Sequence, residues 1–102
     1  MEMTKRDALL IVDMQKDFLP GGTLAVSSGD QIIPLVNLIQ YKFDFIVASQ
    51  DFHPADHKSF AANNPGRKVG DIIDLNGLNQ FLWPVHCVQG TDGADFSKAL
   101  IQ

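Results

Sequence analysis

Two continuous apolar runs, with a helical pattern between them, organise the first half of the chain. The runs are Ala8–Val12, which reads ALLIV, and Phe45–Ser49, which reads FIVAS, and neither alternates with polar residues. Such runs are typical of parallel strands buried on both faces, with a buried helix segment as the alternative. The apolar residues between them recur at the i, i+3, i+4, i+7 spacing of an amphipathic helix: Ile32, Leu35, Val36 and Ile39.

The start of this predicted helix is set by a proline. Pro34 is tolerated only in a first helical turn, so the helix should begin near Asp30 or Gln31, after the N-cap candidates of residues 27–30. Its end is expected between Tyr41 and Asp44. Strand, helix and strand then form a βαβ unit, in which the two strands are parallel.

The pattern predicts an α/β fold, a parallel sheet with flanking helices in a Rossmann-like three-layer arrangement, as a single domain over residues 1–102. Strands of this kind need neighbours on both faces, so we expect the chain to be part of a longer domain. Later elements are less regular. Val69–Gln80 is expected to be irregular or a short strand, and Phe96–Gln102 to begin a helix or a strand.

The stretch QDFHPADH follows the second strand and is rich in metal-capable side chains. Asp51, His53 and His57 lie within it, Asp56 is a further candidate, and His86 follows in WPVHC. All three histidines of the chain are therefore candidates for one site. In an extended segment Asp51 and His53 point to the same side, which would send the intervening phenylalanine, Phe52, into the core.

A carboxylate with two or three imidazoles suits Zn²⁺, Fe²⁺ or Mn²⁺ and leaves coordination positions open. The ordinary alternative is a loop whose histidines bond to the backbone, and no CxxC-type spacing decides between the two. Asp13 follows the first strand, and therefore lies at the same sheet edge as Asp51, where open α/β sheets bind ligands. Asp13 could cap the next turn or act as a general base.

Three further residues are candidates for a site. Cys87 is the only thiol, but His86 beside it points the opposite way in an extended chain, so a small buried hydrophobe is the favoured interpretation. Phe18 and Trp83 are either core residues or the walls of a flat pocket.

Composition excludes some classes of partner. The net charge of −4, without a basic patch, argues against nucleic acid or an anionic membrane. The first apolar run is too short for a signal-peptide core, and no stretch approaches the ~20 residues of a membrane helix. A single Cys indicates a reducing, cytoplasmic location.

Three segments together resemble a known family: IVDMQKDFLPGGTLAV, SQDFHPADHKSF and WPVHCVQGTDGADF. They are similar to the N-terminal half of bacterial nicotinamidases (pyrazinamidases), which are isochorismatase-like cysteine hydrolases. The resemblance implies a parallel-sheet α/β fold and the hydrolysis of nicotinamide to nicotinate and ammonia, a step of NAD salvage, with pyrazinamide as a second small-molecule substrate.

Roles follow from the resemblance position by position. Asp13 matches the catalytic acid/base, and Phe18 and Trp83 match the aromatic walls around the pyridine ring. Four residues match the metal ligands: Asp51, His53, His57 and His86. Zinc is the expected ion, with iron or manganese as alternatives. The ring nitrogen of the substrate is expected to face the metal, directly or through water.

The sequence departs from the family in its nucleophile. The family's reactive Cys and the Lys of its triad lie further along the chain than these motifs, and Cys87 matches the Cys after the metal-binding His, which is not the nucleophile. The 102-residue chain is therefore expected to be inactive alone, with a C-terminal half or a second chain supplying both groups. A non-catalytic metal- or ligand-binding fragment and one half of a split enzyme are the alternatives. The metal-free isochorismatase-like branch is disfavoured by His57 and WPVHC.

Overall fold

The computed structural model describes residues 5–101 of the chain, so the predictions for a domain over 1–102 and for Phe96–Gln102 extend beyond the described residues. Its regular elements are the strands β1 (Ala8–Val12), β2 (Phe45–Ser49), β3 (Ile72–Leu75) and β4 (Leu78–Phe81), and the helix α1 (Ile33–Gln40). Short 3₁₀ turns occur at Lys16–Phe18, Gly29–Ile32, Ala61–Asn63 and Asp92–Ala94.

The first two strands pair in parallel, as predicted. Ala8 lies opposite Phe45 and Val12 lies opposite Ser49, and α1 connects the two strands in the chain. Both strands match their predicted bounds. The α/β class is thereby confirmed at a coarse level, as a parallel sheet with a helix.

The helix begins later than predicted, because a 3₁₀ turn occupies Gly29–Ile32. Pro34 lies in the first turn of α1, where its missing N–H costs no helical hydrogen bond. The residue before the helix, Ile32, makes no side-chain cap, so the predicted Ser and Asp caps are not used. The helix ends at Gln40, one residue before the predicted range.

The core of the described residues is small. One buried cluster consists of Ile11, Met14, Ile33 and Leu100, and Leu9, Leu19, Val36 and Phe96 pack against it. Five further hydrophobic residues are buried outside this cluster: Phe60, Ala61, Leu82, Cys87 and Ala94. The predicted helix stripe is only partly buried, since Ile32 is 51% and Leu35 58% exposed. The buried position is instead Ile33, whose side chain faces β1 and the final segment.

Both strands of the parallel sheet are more exposed than predicted. Leu10 is 59%, Val12 60% and Phe45 61% exposed. The prediction of burial on both faces is wrong for this structure, because α1 and the last residues cover one side of β1 and no element within residues 5–101 covers the other side. An uncovered apolar parallel sheet is unusual, since such sheets are ordinarily buried.

The segment Val69–Gln80, predicted to be irregular or a short strand, lies largely in a β-hairpin. β3 and β4 are antiparallel, with Leu75 opposite Leu78 across a two-residue loop. The loop residues Asn76 and Gly77 have φ of +52° and +84°, the conformation of a type I′ turn that favours Asn-Gly. The Asn-Gly pair is therefore the local sequence signal for this hairpin.

The final segment has no regular helix or strand in the described residues. It runs instead beside the residues that follow β1, where the N–H of Ser97 donates to the carbonyl of Met14 at 2.9 Å. The N–H of Lys16 donates to the carbonyl of Asp95 at 3.0 Å. No helix formed by residues 5–101 has the length and apolar character needed to cross a bilayer.

Candidate metal centre

Three predicted ligands converge at the rim of the parallel sheet. Their donor atoms, from Asp51, His53 and His86, all lie within 4.8 Å of one another. Oδ1 of Asp51 is 2.9 Å from Nε2 of His53, and Oδ2 is 3.3 Å from Nε2 of His86. One carboxylate therefore faces two imidazoles, a donor set of the kind that binds Zn²⁺.

Backbone hydrogen bonds beyond the strands bring the segment of Asp51 and His53 next to the segment of His86. The N–H of His53 donates to the carbonyl of Cys87 at 2.9 Å, and the N–H of Gln89 donates to the carbonyl of His53 at 2.8 Å. Residues 51–53 thus extend past β2 as a short bridge to the WPVHC segment. The contact explains how residues distant in sequence form one site.

The ring of His86 is oriented by a backbone group. Its Nδ1 lies 2.7 Å from the carbonyl oxygen of Pro84, which can only accept a hydrogen bond. Nδ1 therefore bears a proton, and Nε2, which lies on the side of Asp51, is the ring nitrogen available to a metal ion. This outer hydrogen bond is the usual arrangement around a metal-binding histidine. The His86 side chain is also buried, which restricts its rotamers.

His57 lies beside the trio and outside it. Its ring centroid is 5.1 Å from that of His53. Its Nδ1 accepts the N–H of Ser59 at 3.1 Å and lies 2.7 Å from the Ser59 hydroxyl. Nδ1 is therefore an acceptor here, and coordination through Nε2 requires the ring proton to move to Nδ1 and to bond to the Ser59 hydroxyl.

Two expectations about the loop differ from the structure. Asp56 is exposed and lies outside the trio. Phe52 does not line the pocket of the ligands, and it is 52% exposed rather than buried in the core.

Asp13 is held in an unusual backbone conformation at the same rim. Its N–H donates to the carbonyl of Ser49 at 3.2 Å, and its Oδ1 accepts the Ser49 hydroxyl at 3.0 Å. Its φ is +55°, a left-handed conformation that Asp tolerates better than most residues. Backbone strain of this kind is frequent at functional sites. The common sheet edge predicted for Asp13 and Asp51 is confirmed.

The two aromatic candidates line the same pocket as the ligands. The pocket, of about 460 Å³, is open to solvent and is lined by Phe18, Trp83, the trio and His57, together with Leu24, Ser59 and Gln80. The Phe18 ring is 5.6 Å from that of His86, and Trp83 is 39% exposed. Phe18 also lines a neighbouring pocket of about 290 Å³, which Asp13 lines as well.

Cys87 is chemically quiet. It is fully buried, and its N–H donates to Oδ2 of Asp17 at 2.8 Å. Burial raises the pKa of its thiol from 9.0 to about 12, with further contributions from the carboxylates of Asp51, Asp17 and Asp13. A thiol with this pKa is protonated at neutral pH and is a poor nucleophile. The expected role as a small buried residue is confirmed.

Sequence reasoning missed several residues that support the ligands. Gln15, noted only as part of the first motif, is fully buried and bonds to the backbone of Asp51. Three further residues hydrogen-bond to site residues in a similar supporting role. Asp17 bonds to Cys87, Ser49 to Asp13, and Ser59 to His57. The sequence signal for such a supporting residue is a polar side chain close to the end of a strand. The group to which it hydrogen-bonds is set by the tertiary structure.

Known proteins similar to this chain are nicotinamidases. A nicotinamidase of Acinetobacter baylyi is 49% identical over 100 residues, which span 98% of this chain and 47% of that protein. The solved Acinetobacter baumanii nicotinamidase pyrazinamidease has a TM-score of 0.92 and 44% identity, over 99% of this chain and 49% of that one. A Pyrococcus horikoshii pyrazinamidase in complex with zinc has a TM-score of 0.65 and 42% identity, and the match covers 93% of this chain and 46% of that one. No family model matches the chain.

The fold and the rim site define an α/β structure, a parallel sheet with a helix, that carries a candidate metal centre. The comparisons confirm its resemblance to nicotinamidases and pyrazinamidases in particular. The chain spans about half the length of the relatives that it matches.

Proposed function

We propose that this chain supplies the metal site and the catalytic Asp of a nicotinamidase-type amidohydrolase, which converts nicotinamide and water to nicotinate and ammonia. The observation that supports this function best is the placement of three metal-capable side chains and two aromatic rings around one open pocket: Asp51, His53, His86, Phe18 and Trp83. A planar pyridine ring has the shape to lie between two aromatic walls with its ring nitrogen toward the ligands.

The residues fit a divalent ion, with zinc as the expected metal and iron or manganese as alternatives. The fit rests on the carboxylate and two imidazoles whose donor atoms converge and on the Pro84 carbonyl that orients His86. His57 is proposed as the fourth ligand, through its Nε2. The ion would orient the substrate through its ring nitrogen. A metal with this role does not activate the attacking group.

Asp13 is proposed as the acid/base. The Ser49 hydroxyl fixes one of its carboxylate oxygens, and Phe18 is shared between its pocket and that of the ligands. A substrate held against Phe18 would thus have its amide within reach of the sheet edge that bears Asp13. Asp13 would take the proton of an attacking thiol and later transfer a proton to the departing ammonia, and water would hydrolyse the resulting thioester.

We propose that the attacking Cys and the triad Lys come from polypeptide outside these 102 residues, in the same protein or in a second chain. The burial of Cys87 supports this, because a thiol with no exposed surface, whose pKa burial raises, is poorly suited to attack a substrate. The exposed apolar side chains of Leu10, Val12 and Phe45 support it as well, since further strands and helices would cover them in a three-layer domain. The single buried thiol fits a cytoplasmic location.

Complementation tests this function. The chain is co-expressed with the part of the Acinetobacter baylyi nicotinamidase that its match does not cover, and ammonia release from nicotinamide is measured on the purified mixture. We expect hydrolysis that Asp13→Asn abolishes and that the exposed-site control Asp44→Asn leaves unchanged. Co-purification of the two parts without hydrolysis, or hydrolysis that survives Asp13→Asn, would contradict the proposal. Co-purification without hydrolysis would instead support the alternative, a fragment that binds metal and ligand without catalysis.

A further inference from the structure

The side chain of Gln15 is the most completely buried polar group near the ligands. It has no exposed surface. Its Oε1 accepts the N–H of Asp51 at 2.8 Å, and its Nε2 donates to the carbonyls of Asp51 at 2.7 Å and of Ala94 at 2.8 Å. The carboxamide thus bonds to both backbone polar groups of one residue and to a third group from a distant segment.

This arrangement continues the strand ladder by means of a side chain. The paired strands end with Val12 opposite Ser49, and the N–H of Asp13 donates to the Ser49 carbonyl. The backbone then turns away, since Asp13 has a φ of +55°. The Gln15 carboxamide offers one donor and one acceptor to Asp51, as a neighbouring peptide group in a strand would.

The contact fixes the residue that faces both imidazoles. The carboxylate of Asp51 lies 2.9 Å from His53 and 3.3 Å from His86, so a shift of its backbone would change both distances. The Ala94 carbonyl, which Gln50 also reaches at 2.7 Å, holds the far side of the carboxamide in place. The Gln50 side chain therefore hydrogen-bonds to the same carbonyl as Gln15, and no hydrogen bond joins it to Asp51.

We propose that Gln15 is a positioning residue for the metal centre, which holds the backbone of Asp51 so that its carboxylate is placed for the ion. The proposal rests on the metal site proposed above. A carboxamide at this length is needed, because it donates and accepts at once. Methionine has a similar length but no donor and only a weakly accepting sulfur, so it would leave the N–H of Asp51 without its strong partner.

The test measures zinc affinity, by competition with a chromophoric chelator, in the purified chain and in two matched variants. We expect Gln15→Met to weaken zinc binding about 10- to 100-fold, as is usual when an outer partner of a ligand is lost. Gln50→Met should bind zinc as the unmodified chain does. The visible spectrum of bound Co²⁺, which reports ligand geometry, should change in Gln15→Met only.

The outcomes separate this inference from the proposal beneath it. If the unmodified chain binds no zinc, the proposed site is contradicted and the inference with it. If it binds zinc and Gln15→Met binds equally well, or both variants lose affinity equally, only the role of Gln15 is contradicted.

A measurement on the unmodified chain decides the matter if Gln15→Met does not fold. Zinc bound to Asp51 should slow hydrogen exchange of the Gln15 side-chain amide, observed by NMR, because opening this bond displaces a ligand. The Gln50 amide should exchange at an unchanged rate. Equal behaviour of the two amides would overturn the inference.

Discussion

Nε2 of His86 lies 3.3 Å from Oδ2 of Asp51, although one residue follows β2 and the other follows the hairpin of β3 and β4. The bridge between His53 and Val88 brings the two loops together. A metal-capable set can therefore form within residues 5–101, even though the sheet that supports it is covered on one side only.

The ligands should contribute unequally to metal affinity. We expect His53→Ala and His86→Ala each to weaken zinc binding by about 100-fold or more, beyond the loss typical of an outer partner. His57→Ala should cost less, because its Nδ1 accepts the Ser59 N–H and its ring must change tautomer to coordinate. Chelator competition measures all three, with Asp56→Ala as the control that leaves affinity unchanged. A loss for His57→Ala as large as for His53→Ala would contradict the ranking.

The stability of the chain should fall at alkaline pH because of Cys87. Its pKa rises from 9.0 to about 12 on folding, so the folded state holds the thiol proton more tightly than the unfolded state. The stabilisation is complete below pH 9.0 and is lost as pH rises toward about 12, by up to about 1.4 kcal/mol per pH unit. Denaturant unfolding measures it, and Cys87→Ala should show a smaller decline. Equal declines would refute the assignment.

Gly22 should tolerate no side chain. A Cβ at this position would overlap the backbone carbonyls of Lys16 and Asp17, which cannot move without shifting the 3₁₀ turn that bears Phe18. We expect Gly22→Ala to lower the free energy of unfolding by about 3 kcal/mol. Gly21→Ala is the control, since its added Cβ meets nothing and costs only its left-handed φ, about 1 kcal/mol. A smaller effect at Gly22 than at Gly21 would contradict this account.

The purified 102-residue chain should release no ammonia from nicotinamide, with or without added zinc, because its only thiol is buried and protonated. A coupled ammonia assay measures this. Activity that co-purifies with the chain and survives Cys87→Ala would show that another group in the chain attacks the amide.

Much of the site can be predicted from the sequence, because it depends on where the strands end and on the alternation of side chains in an extended segment. The unbroken runs ALLIV and FIVAS identify two parallel strands, and their ends place Asp13 and Asp51 at one edge. The alternation of an extended chain places Asp51 and His53 together. These inferences need only the strand period and the geometry of parallel pairing.

The remaining features depend on partners that the sequence does not specify. Nothing local indicates that Gln15 bonds to Asp51, or that Ser59 determines the tautomer of His57. The strands β1 and β2 are less buried than their sequences predict. An apolar run shows that a strand needs covering layers, but it does not show which residues supply those layers. The hairpin at Asn76–Gly77, by contrast, has a local signal, since Asn-Gly is typical of a two-residue type I′ loop.

The claim that this chain contains a preformed metal centre is tested most directly by the zinc content of the purified protein. The chain is exposed to excess zinc, dialysed against metal-free buffer and analysed for bound metal, alongside His53→Ala. We expect about one zinc ion per chain in the unmodified protein, as in a single site with this donor set, and almost none in the variant. Substoichiometric zinc in the unmodified, folded chain, or equal zinc in both proteins, would contradict the account.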